Sequence, residues 1–579
     1  MSLQVTKLNL GNLLNRILAP ALQIQIAPAL GYFVSLIISY FYYFTSDQSL
    51  PSERPELLWI GFGLSVFSFV SGFYIAKRNQ HEPYKISFKD GSIIVVLAWL
   101  IAIIISALVY YLGGFPVYGD TTSLSIGRQV VDSLYESASG YSTTGASILP
   151  DIESFPRGIL AWRTMTHWLG GMGMSYLAIT LIRKFVVRKG NLINAEAETP
   201  NFVEFDDEKE AFDSGISFLK IYSLLTGILF VLLLISGAYF GSYSYNNWYD
   251  NVFDAWIHSL GTLGTGGFSS YNNSVGMPEI IEGSASLGGL KNQVSEWIIA
   301  FFMMFAGINM SLWYVLAFRF RSWRDIFSNT QLKVYLALVT FLTIAVSGSL
   351  HVYGVEKNIL DSLRYAFFNV NTILSTTGYT NTDFASWPAL TRALLFIGYF
   401  LGGMVGSTAG GLKISRFIVL FRLSFEEIKG LLTGKYNPNS VLDGVKYDLR
   451  SSILVLVHMV FYFILFLAGG VLILATSPNV TYTNGVTASI DFSSAFTASI
   501  AVLGNIGPAI ASGIAQAGPS GNYYAFSETS KIIMILFMLI GRLGVLTFAT
   551  LFITNLGEQK IDDSIPEIEF EIEKPALRS

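Results

Sequence analysis

Long apolar runs separated by short polar segments dominate the hydropathy pattern of this chain. A hydrocarbon core of about 30 Å is crossed by roughly 20 apolar residues in a helix. Runs of that length, such as "IIVVLAWLIAIIISALVYYL" (93–112), start near residues 26, 57, 92, 159, 216, 297, 333, 389, 451 and 532. We therefore expect an all-α polytopic membrane protein with ten spans.

Four short segments with a shared layout lie between pairs of these spans, and each runs from an Asp to a glycine 12 to 17 residues later. They are "DSLYESASGYSTTGASIL" (132–149), "FDAWIHSLGTLGTGGFSS" (253–270), "LDSLRYAFFNVNTILSTTGYT" (360–380) and "IDFSSAFTASIAVLGNIGPAI" (490–510). The acids are Asp132, Asp254, Asp361 and Asp491, and the glycines are Gly145, Gly266, Gly378 and Gly507. A unit of span, short helix, polar strand and span therefore occurs four times, after two N-terminal spans.

Each of these segments is too short to cross a bilayer as a helix, which favours a re-entrant course. Irregular backbone at membrane depth is tolerated only where it is buried in protein or lines a water-filled path. Ordinary polar loops outside the membrane are the alternative interpretation. Four segments with a matched layout instead indicate one shared central pore.

The chemistry of such a pore follows from the backbone. An Asp at the start of each short helix would accept bonds from free N–H groups, and the negative end of the helix dipole would face the glycine strand. Glycine allows φ > 0 and close approach, so carbonyl oxygens of four strands can face one axis. Such a ring can replace the water around a cation. The four strands contain no carboxylate, which favours a monovalent cation.

Composition narrows the function classes. Only 13% of the residues are charged, against about 25% in soluble domains, and the mean hydropathy is +0.51. The absence of cysteine excludes disulfides and thiolate chemistry. The five histidines show no pair at metal-ligand spacing, and we expect His167 and His258 to be packing or loop-bonding residues rather than proton carriers. With no paired acids or nucleophile–base motif in the spans, we expect no enzyme, and nothing indicates a nucleic-acid partner.

Basic residues cluster at the ends of spans that would run inward from a cytoplasmic N-terminus. The clusters are Lys77, Arg78 and Lys85; Arg183, Lys184, Arg188 and Lys189; Arg319, Arg321 and Arg324; and Lys413, Arg416 and Arg422. By the positive-inside rule these ends, and both termini, are expected on the cytoplasmic side.

Together with "AWRTMTHWLGGMGM" (161–174), "FFMMFAGINMSLWY" (301–314), "GGMVGSTAGGLKISRF" (402–417) and "GRLGVLTF" (541–548), the four strands resemble the Trk/Ktr/HKT superfamily of potassium transporters, most closely its TrkH-like pore subunits. The resemblance covers residues from about 20 to 555. It implies a fourfold pseudosymmetric pore in the bacterial inner membrane that takes up potassium. The implied units are a two-helix unit at 1–90, pore repeats at 91–190, 212–325, 330–424 and 446–556, and a cytoplasmic tail at 557–579.

By the same resemblance, the selectivity filter comprises Thr143, Thr144, Gly145, Thr265, Gly266, Thr376, Thr377, Gly378, Asn505, Ile506 and Gly507. K⁺ is expected at Thr144, Gly145, Thr265, Gly266, Thr377, Gly378, Ile506 and Gly507, without an organic cofactor. In the family, serine in place of the first filter glycine is associated with sodium permeation, so Gly145 favours potassium. The fourth strand departs from the Thr-Gly pattern, as it does in its relatives, which makes the filter only approximately symmetric.

The segment "LGGMVGSTAGGLK" (401–413) should interrupt its helix, because each Gly costs roughly 1 kcal/mol relative to Ala. The resemblance makes it a movable gate below the filter, and a packing kink is the alternative interpretation. The gate glycines are Gly402, Gly403, Gly406, Gly410 and Gly411. Lys413 does not directly follow Gly411, so this is not a phosphate-binding loop.

Arg542 lies near the middle of the last span, where a charge is costly and normally faces a partner or a water path. The resemblance implies that it projects beneath the filter as an electrostatic barrier to cations. A structural arginine bonded to the loop carbonyls at Gly402–Gly411 is the alternative, and the two roles are compatible.

The resemblance also implies a homodimer in lipid, regulated by a cytosolic ring of TrkA/KtrA-type nucleotide-binding subunits that docks near 183–189, 319–324 and 425–450. This chain contains no GxGxxG dinucleotide-binding domain, and we expect the ring to move the loop 402–413. A sodium-permeable or non-selective monovalent cation transporter of the same fold remains open. An alternating-access carrier for a small solute is a further alternative, but it would require two inverted repeats of about five spans.

Overall fold

The computed structural model of the chain describes residues 17–45, 51–78, 88–114, 125–172, 208–240, 248–275, 292–319, 322–434, 440–442, 445–447, 449–477, 479–481, 487–511, 517–519, 521–545 and 548. Helices form nearly all of the regular structure in these ranges. Two short antiparallel hairpins pair β1 (Ser440–Leu442) with β2 (Val445–Tyr447) and β3 (Asn479–Thr481) with β4 (Thr487–Ser489). The expected all-α membrane fold is confirmed.

The helices follow the predicted order of two N-terminal spans and four units. The N-terminal helices are α1 (Ala19–Gln23), α2 (Ile26–Thr45) and α3 (Pro55–Arg78). The first unit contains α4 (Phe88–Leu112), α5 (Ile126–Tyr141) and α6 (Arg157–Met172), and the second contains α7 (Glu208–Tyr239), α8 (Trp248–Leu263), α9 (Gln293–Ala306), α10 (Met310–Phe318) and α11 (Trp323–Ser328). The third contains α12 (Thr330–Val352), α13 (Ile359–Leu374), a 3₁₀ turn at Phe384–Ser386, α14 (Ala389–Gly398) and α15 (Ile414–Thr433). The fourth contains α16 (Leu449–Thr476), α17 (Phe492–Leu503) and α18 (Glu528–Leu543).

Within the described ranges, six of the ten predicted spans are single helices long and apolar enough to cross a membrane. The predicted span near 297 is instead the pair α9 and α10, bent by 103° at a short break. The run from 389 is divided into α14 and α15 by the loop 401–413, as its glycines predict. Aromatic and aliphatic side chains on outer faces, such as Phe67 and Phe341, are exposed as expected for contact with lipid.

The four units are arranged in a closed ring. We call α5, α8, α13 and α17 the pore helices, because each ends at one of the glycine strands. In three units the helix after the pore helix packs against the pore helix of the next unit: α6 against α8, α9 against α13, and α18 back against α5. The third unit meets the fourth through α15, which packs against α16. Helix α2 packs against α3 and α6, at the outside of the first unit. This arrangement directs all four helix C-termini toward one centre.

The prediction that an Asp begins each pore helix is wrong for two units. Asp491 caps α17 and accepts a hydrogen bond from the Ser494 N–H at 2.7 Å, and Asp361 lies in the first turn of α13. Asp132 and Asp254 instead lie inside α5 and α8, because these helices begin several residues earlier, at Ile126 and Trp248. Both carboxylates are buried and bonded to other side chains rather than to a helix terminus.

The boundaries of the predicted units stay predictions, although α15 continues to Thr433, past the expected end at 424. The basic residues at 183–189 and the tail at 557–579 lie outside the described residues.

A buried ion pair joins the last helix to the first pore helix. Lys531 Nζ on α18 lies 2.5 Å from Asp132 Oδ1 on α5, and both side chains are fully buried. Lys531 also donates to the Tyr524 carbonyl at 2.7 Å. Removal of one partner leaves the other charge buried in a medium of low polarity. A single substitution in such a pair therefore strongly lowers the stability of the fold.

Lys531→Met should lower the free energy of unfolding by about 3–5 kcal/mol, because the buried Asp132 then keeps only the more distant Arg128, whose Nε lies 3.8 Å from its Oδ2, as a counter-charge. The double variant Asp132→Asn with Lys531→Met should recover most of the loss. The melting temperature of the protein in detergent measures both, with Lys333→Met, at an exposed position of α12, as the control. Equal melting temperatures for Lys531→Met and the control would contradict the role of this pair.

Candidate functional site

All four pore helices end in the same backbone turn. In the first unit, the Thr144 N–H donates to the Ser139 carbonyl at 3.0 Å, and the Thr143 N–H donates to the Gly140 carbonyl at 3.1 Å. The matching pairs are Gly266 to Gly261 and Thr265 to Thr262, Thr377 to Thr372 and Thr376 to Ile373, and Ile506 to Ala501 and Asn505 to Val502. This is the Schellman turn, which satisfies the last carbonyls of a helix.

The first residue after each of these helix caps has left-handed backbone. We call these four positions the turn residues: Thr143 (φ 57°), Thr265 (φ 51°), Thr376 (φ 55°) and Asn505 (φ 54°). Glycine is usual here, and a left-handed conformation costs other residues about 1–2 kcal/mol. Three of the four are β-branched threonines, for which this conformation is rare. Their side chains must therefore make contacts that glycine could not.

Two residues after each turn residue lies a glycine with positive φ. These filter glycines are Gly145 (φ 74°), Gly267 (φ 77°), Gly378 (φ 81°) and Gly507 (φ 99°). The prediction that Gly266 is the second filter glycine is therefore wrong by one residue. Gly267 is the residue that matches Gly145, Gly378 and Gly507 in position and in φ. The motif Gly-Thr-Gly-Gly has two candidate glycines, and only the distance from the helix end distinguishes them.

Each filter glycine lies against the backbone of the following strand. A Cβ would come within 2.0 Å of the Gly266 carbonyl oxygen if built on Gly145, 2.3 Å of Thr377 O from Gly267, 1.9 Å of Ile506 O from Gly378, and 2.5 Å of Thr144 O from Gly507. The fourth strand thus returns to the first, and the ring is closed. The carbonyl approached is in every case that of the residue before the next filter glycine.

The filter glycines line one end of an open cavity, which we call the vestibule. Its wall includes residues 517–519, 521 and 523, from the connection between α17 and α18. This connection is bonded to three strands: Thr380 Oγ1 donates to Pro519 O at 3.1 Å, the Ala509 N–H donates to Ala517 O at 2.6 Å, and the Tyr523 N–H donates to Ser147 O at 2.8 Å. The vestibule wall is therefore fixed by the strands that it covers.

The loop 401–413 lies against the opposite side of the ring, in contact with the turn residues. Thr265 Oγ1 donates to the Thr408 carbonyl at 2.8 Å. The Gly410 N–H donates to Thr376 Oγ1 at 2.6 Å. A Cβ on Gly410 would lie 2.7 Å from Asn505 Cβ, so the loop backbone also touches the fourth strand. These contacts explain why side chains occupy left-handed positions that glycine usually fills.

Further backbone bonds hold the loop against the break between α9 and α10. The Met404 N–H donates to Gly307 O at 2.9 Å, and the Met310 N–H donates to Gly406 O at 2.9 Å. Gly406 has a φ of 74° and Gly411 a φ of 63°, conformations that other residues adopt with strain. The loop is thus ordered by neighbours rather than by helical bonds of its own.

Arg542 connects the loop to the first unit. Its guanidinium donates to Thr408 O at 2.7 Å, to Gly170 O at 2.7 Å and to Thr143 Oγ1 at 3.3 Å. The bond to Thr408 is the one that a structural arginine was expected to make with loop carbonyls. The same bonds place a positive charge beside the first turn residue, on the side of the ring that the loop covers.

Buried polar side chains support the first two strands from behind. Glu136 accepts from Arg163 Nε at 2.6 Å and from the Ile148 N–H at 2.9 Å, and Arg163 donates to Ser269 O at 3.2 Å. Arg163 and Glu136 are almost completely buried. This pair therefore ties the first glycine strand (residues 142–147, strand 1) to the second (residues 264–270, strand 2).

Both histidines that were expected to hold loops do so. His167 Nδ1 lies 2.8 Å from Gly140 O, and its Nε2 accepts from the Phe268 N–H at 3.2 Å. His258 is bonded to the Asp254 carbonyl and to Ser269 Oγ.

Sequence reasoning missed Gly267, Glu136, Arg163 and Lys531. The detectable signals were the doubled glycine and the presence of charged residues in otherwise apolar helices.

Gly378→Ala should lower the melting temperature in detergent, because the new Cβ would meet Ile506 O in a left-handed conformation that alone costs about 1–2 kcal/mol. Gly348→Ala on α12 is the matched control, since nothing lies within 4 Å of its Cβ position. The control should keep or slightly raise the melting temperature, because Ala is the better helix former. A Gly378→Ala protein as stable as the control would refute the tight ring.

Comparison with known proteins supplies the family. The model of the TrkH family, described as cation transport protein, matches residues 61–564. The Trk system potassium uptake protein TrkH of Escherichia coli (strain K12) is 29% identical over 482 residues, which cover 82% of this chain and 87% of the relative. TrkG of the same strain, also a Trk system potassium uptake protein, is 26% identical over 508 residues, 86% of this chain and 92% of its own.

The fold is shared with a solved structure. The crystal structure of the potassium transporter TrkH from Vibrio parahaemolyticus matches with a TM-score of 0.68 and 22% identity, covering 92% of this chain and 98% of that one. With the family model matched over most of its length, this chain belongs to the TrkH family of cation transport proteins.

Proposed function

We propose that this chain takes up potassium across the cell membrane through the ring of four strands, which acts as a selectivity filter. The observation that carries the proposal is the closed ring of filter glycines at the ends of four pore helices. The names of the E. coli relatives, which are potassium uptake proteins, support the choice of ion. The proposed K⁺ ligands are the carbonyls of Thr144, Gly145, Gly266, Gly267, Thr377, Gly378, Ile506 and Gly507.

The physical basis is an arrangement of dipoles rather than of formal charges. All four pore helices direct their C-termini, which carry partial negative charge, toward the ring. Carbonyl oxygens in such a ring can replace the hydration shell of a monovalent cation. A divalent ion would favour carboxylate ligands, and the described strand residues 142–147, 264–270, 375–380 and 504–509 contain none.

The loop 401–413 and Arg542 would form the gate. The loop occupies the side of the ring opposite the vestibule, where it meets strands 2, 3 and 4, and Arg542 meets strand 1. An ion leaving the filter would therefore encounter both the loop backbone and a positive charge. Cations are repelled by such a charge in a medium of low dielectric. Uptake would require the loop, or Arg542, to move.

Regulation would come from outside the chain. The Trk system naming of the relatives points to a system of several components. We infer a homodimer in the membrane with both termini cytoplasmic, and a cytosolic nucleotide-binding subunit of the TrkA/KtrA type that displaces the loop. The multi-pass helices place the protein in a membrane. The transport function of the relatives also argues against an enzyme.

Sodium permeation by the same fold is the alternative function, and a substitution at Gly145 can test it. A serine there would carry its Cβ to within 2.0 Å of Gly266 O, so the ring must widen or shift. We expect Gly145→Ser to raise the ratio of ²²Na⁺ to ⁸⁶Rb⁺ uptake into liposomes by about tenfold, which corresponds to about 1.4 kcal/mol. The wild-type protein should favour Rb⁺, which stands in for K⁺.

Gly348→Ser, at the open position on α12, is the control for adding a serine to this membrane protein. Its uptake ratio should equal that of the wild type. An unchanged ratio in Gly145→Ser would show that the glycine strands do not determine selectivity. Equal Na⁺ and Rb⁺ uptake by the wild type would be compatible with a pore but would refute its preference for potassium.

Thr376→Val should increase the Rb⁺ flux measured without any regulatory partner. The variant keeps the β-branched shape but leaves the Gly410 N–H without its acceptor, which penalises the closed loop by about 1–3 kcal/mol. We expect a rise of about fivefold or more in flux, with the Na⁺ to Rb⁺ ratio unchanged.

Thr343→Val is the matched control, because the Thr343 hydroxyl is buried and has no hydrogen-bond partner among the described residues. Partner-free flux that is the same in Thr376→Val and in the control would show that this contact does not hold the gate closed.

A further inference from the structure

One of the four filter glycines differs from the others in the bonding of its carbonyl. The Tyr523 hydroxyl donates to Gly507 O at 2.7 Å. Within the described residues, the carbonyls of Gly145, Gly267 and Gly378 accept no hydrogen bond from the protein. The ring is therefore asymmetric at its vestibule end, in hydrogen bonding as well as in sequence.

The backbone conformation of Gly507 also differs from that of the other three filter glycines. Its φ is 99°, whereas the other three filter glycines lie between 74° and 81°. All four glycines line the vestibule, and so does Tyr523. The phenol and the carbonyl thus meet at the edge of the cavity through which a cation would approach the filter.

Tyr523 is held rigidly in this position. Only 2% of the residue is exposed, and its N–H donates to Ser147 O, just after the first filter strand. Its ring packs against Tyr135 on α5, with centroids 5.8 Å apart, and against Phe526, with centroids 5.5 Å apart. A hydroxyl fixed in this way is a preorganised donor, because little rotamer freedom remains to be lost when it bonds.

We propose that Tyr523 is a positioning residue for the outermost cation site, where its hydroxyl engages the Gly507 carbonyl, so that this ligand coordinates the ion more weakly than the three unshared carbonyls of the other filter glycines. The inference rests on the proposed function of the ring as a potassium filter. A carbonyl that accepts a hydrogen bond from a phenol has one lone pair less for a cation, so this site binds more weakly than a ring of four equal carbonyls. Weak binding suits a site that ions must both reach and leave.

Tyr523→Phe should free the Gly507 carbonyl and strengthen the outer site. We expect the apparent KM for Rb⁺ uptake into liposomes to fall by about two- to tenfold, the range for exchange of one neutral hydrogen bond. The maximal rate should not rise, because a tighter site releases its ion more slowly. This division between KM and maximal rate separates a change at the ion site from a general loss of active protein.

The matched control is Tyr399→Phe. Tyr399 is as deeply buried as Tyr523, and its hydroxyl donates at the same distance, 2.7 Å, to the next carbonyl along the strand, that of Pro508. Pro508 lies one residue beyond the filter glycine, so the control should keep the wild-type KM. A KM in Tyr523→Phe that is unchanged or raised, or an equal fall in Tyr399→Phe, overturns the inference.

If the Tyr523→Phe protein fails to insert into the membrane, a measurement on the wild-type protein tests the inference instead. Anomalous scattering from Tl⁺ soaked into crystals should show an outermost ion coordinated by the carbonyls of Gly145, Gly267 and Gly378, and farther from Gly507 O. Four equal distances would overturn the inference. No saturable Rb⁺ uptake by the wild type would instead refute the proposed function itself, which separates the two failures.

Discussion

The left-handed turn at the end of each pore helix is the constraint on which the ring depends. The turn reverses the chain directly after the helix C-terminus, so that the following residues run across the molecular centre instead of continuing the helix. Because the same two hydrogen bonds recur in all four units, the filter glycines reach equivalent positions. The close approach of each glycine to a neighbouring carbonyl then excludes any side chain from the ring. Each pore helix also contributes its negative end at that point.

The same turns join the ring to the loop beneath it. Thr265 and Arg542 both donate to the carbonyl of Thr408, and Thr376 accepts from Gly410. The strain of a left-handed threonine is thus balanced by bonds that exist only while the loop lies under the ring. In this account, displacement of the loop breaks contacts to several strands together, which is a physical reason for a gate with two distinct states.

Features that depend on long periodic patterns could be predicted from the sequence. Features that depend on the exact register of a strand or on the exact start of a helix were predicted wrongly. Runs of apolar residues and the repeated acid-to-glycine layout located the four units, and the glycines of 401–413 located the break. The register of strand 2 was predicted wrongly because two adjacent glycines, Gly266 and Gly267, follow Thr265. The sequence does not show where the helix ends, so it cannot distinguish which of the two matches the other filter glycines. The prediction that Asp132 begins its helix was wrong because α5 starts earlier, at Ile126, and the residue that Asp132 does bond, Lys531, is 399 residues away in the sequence. Tyr523 gave no signal, since its bond to Gly507 depends on tertiary folding alone.

The proposed function rests on potassium selection by the ring of filter glycines. The reversal potential of the wild-type protein in a lipid bilayer, with K⁺ and Na⁺ gradients opposed, tests it most directly. We expect a reversal close to the potassium equilibrium potential, because carbonyl dipoles replace the hydration shell of K⁺ at lower cost than that of Na⁺. A reversal at zero, or one on the sodium side, would contradict the claim.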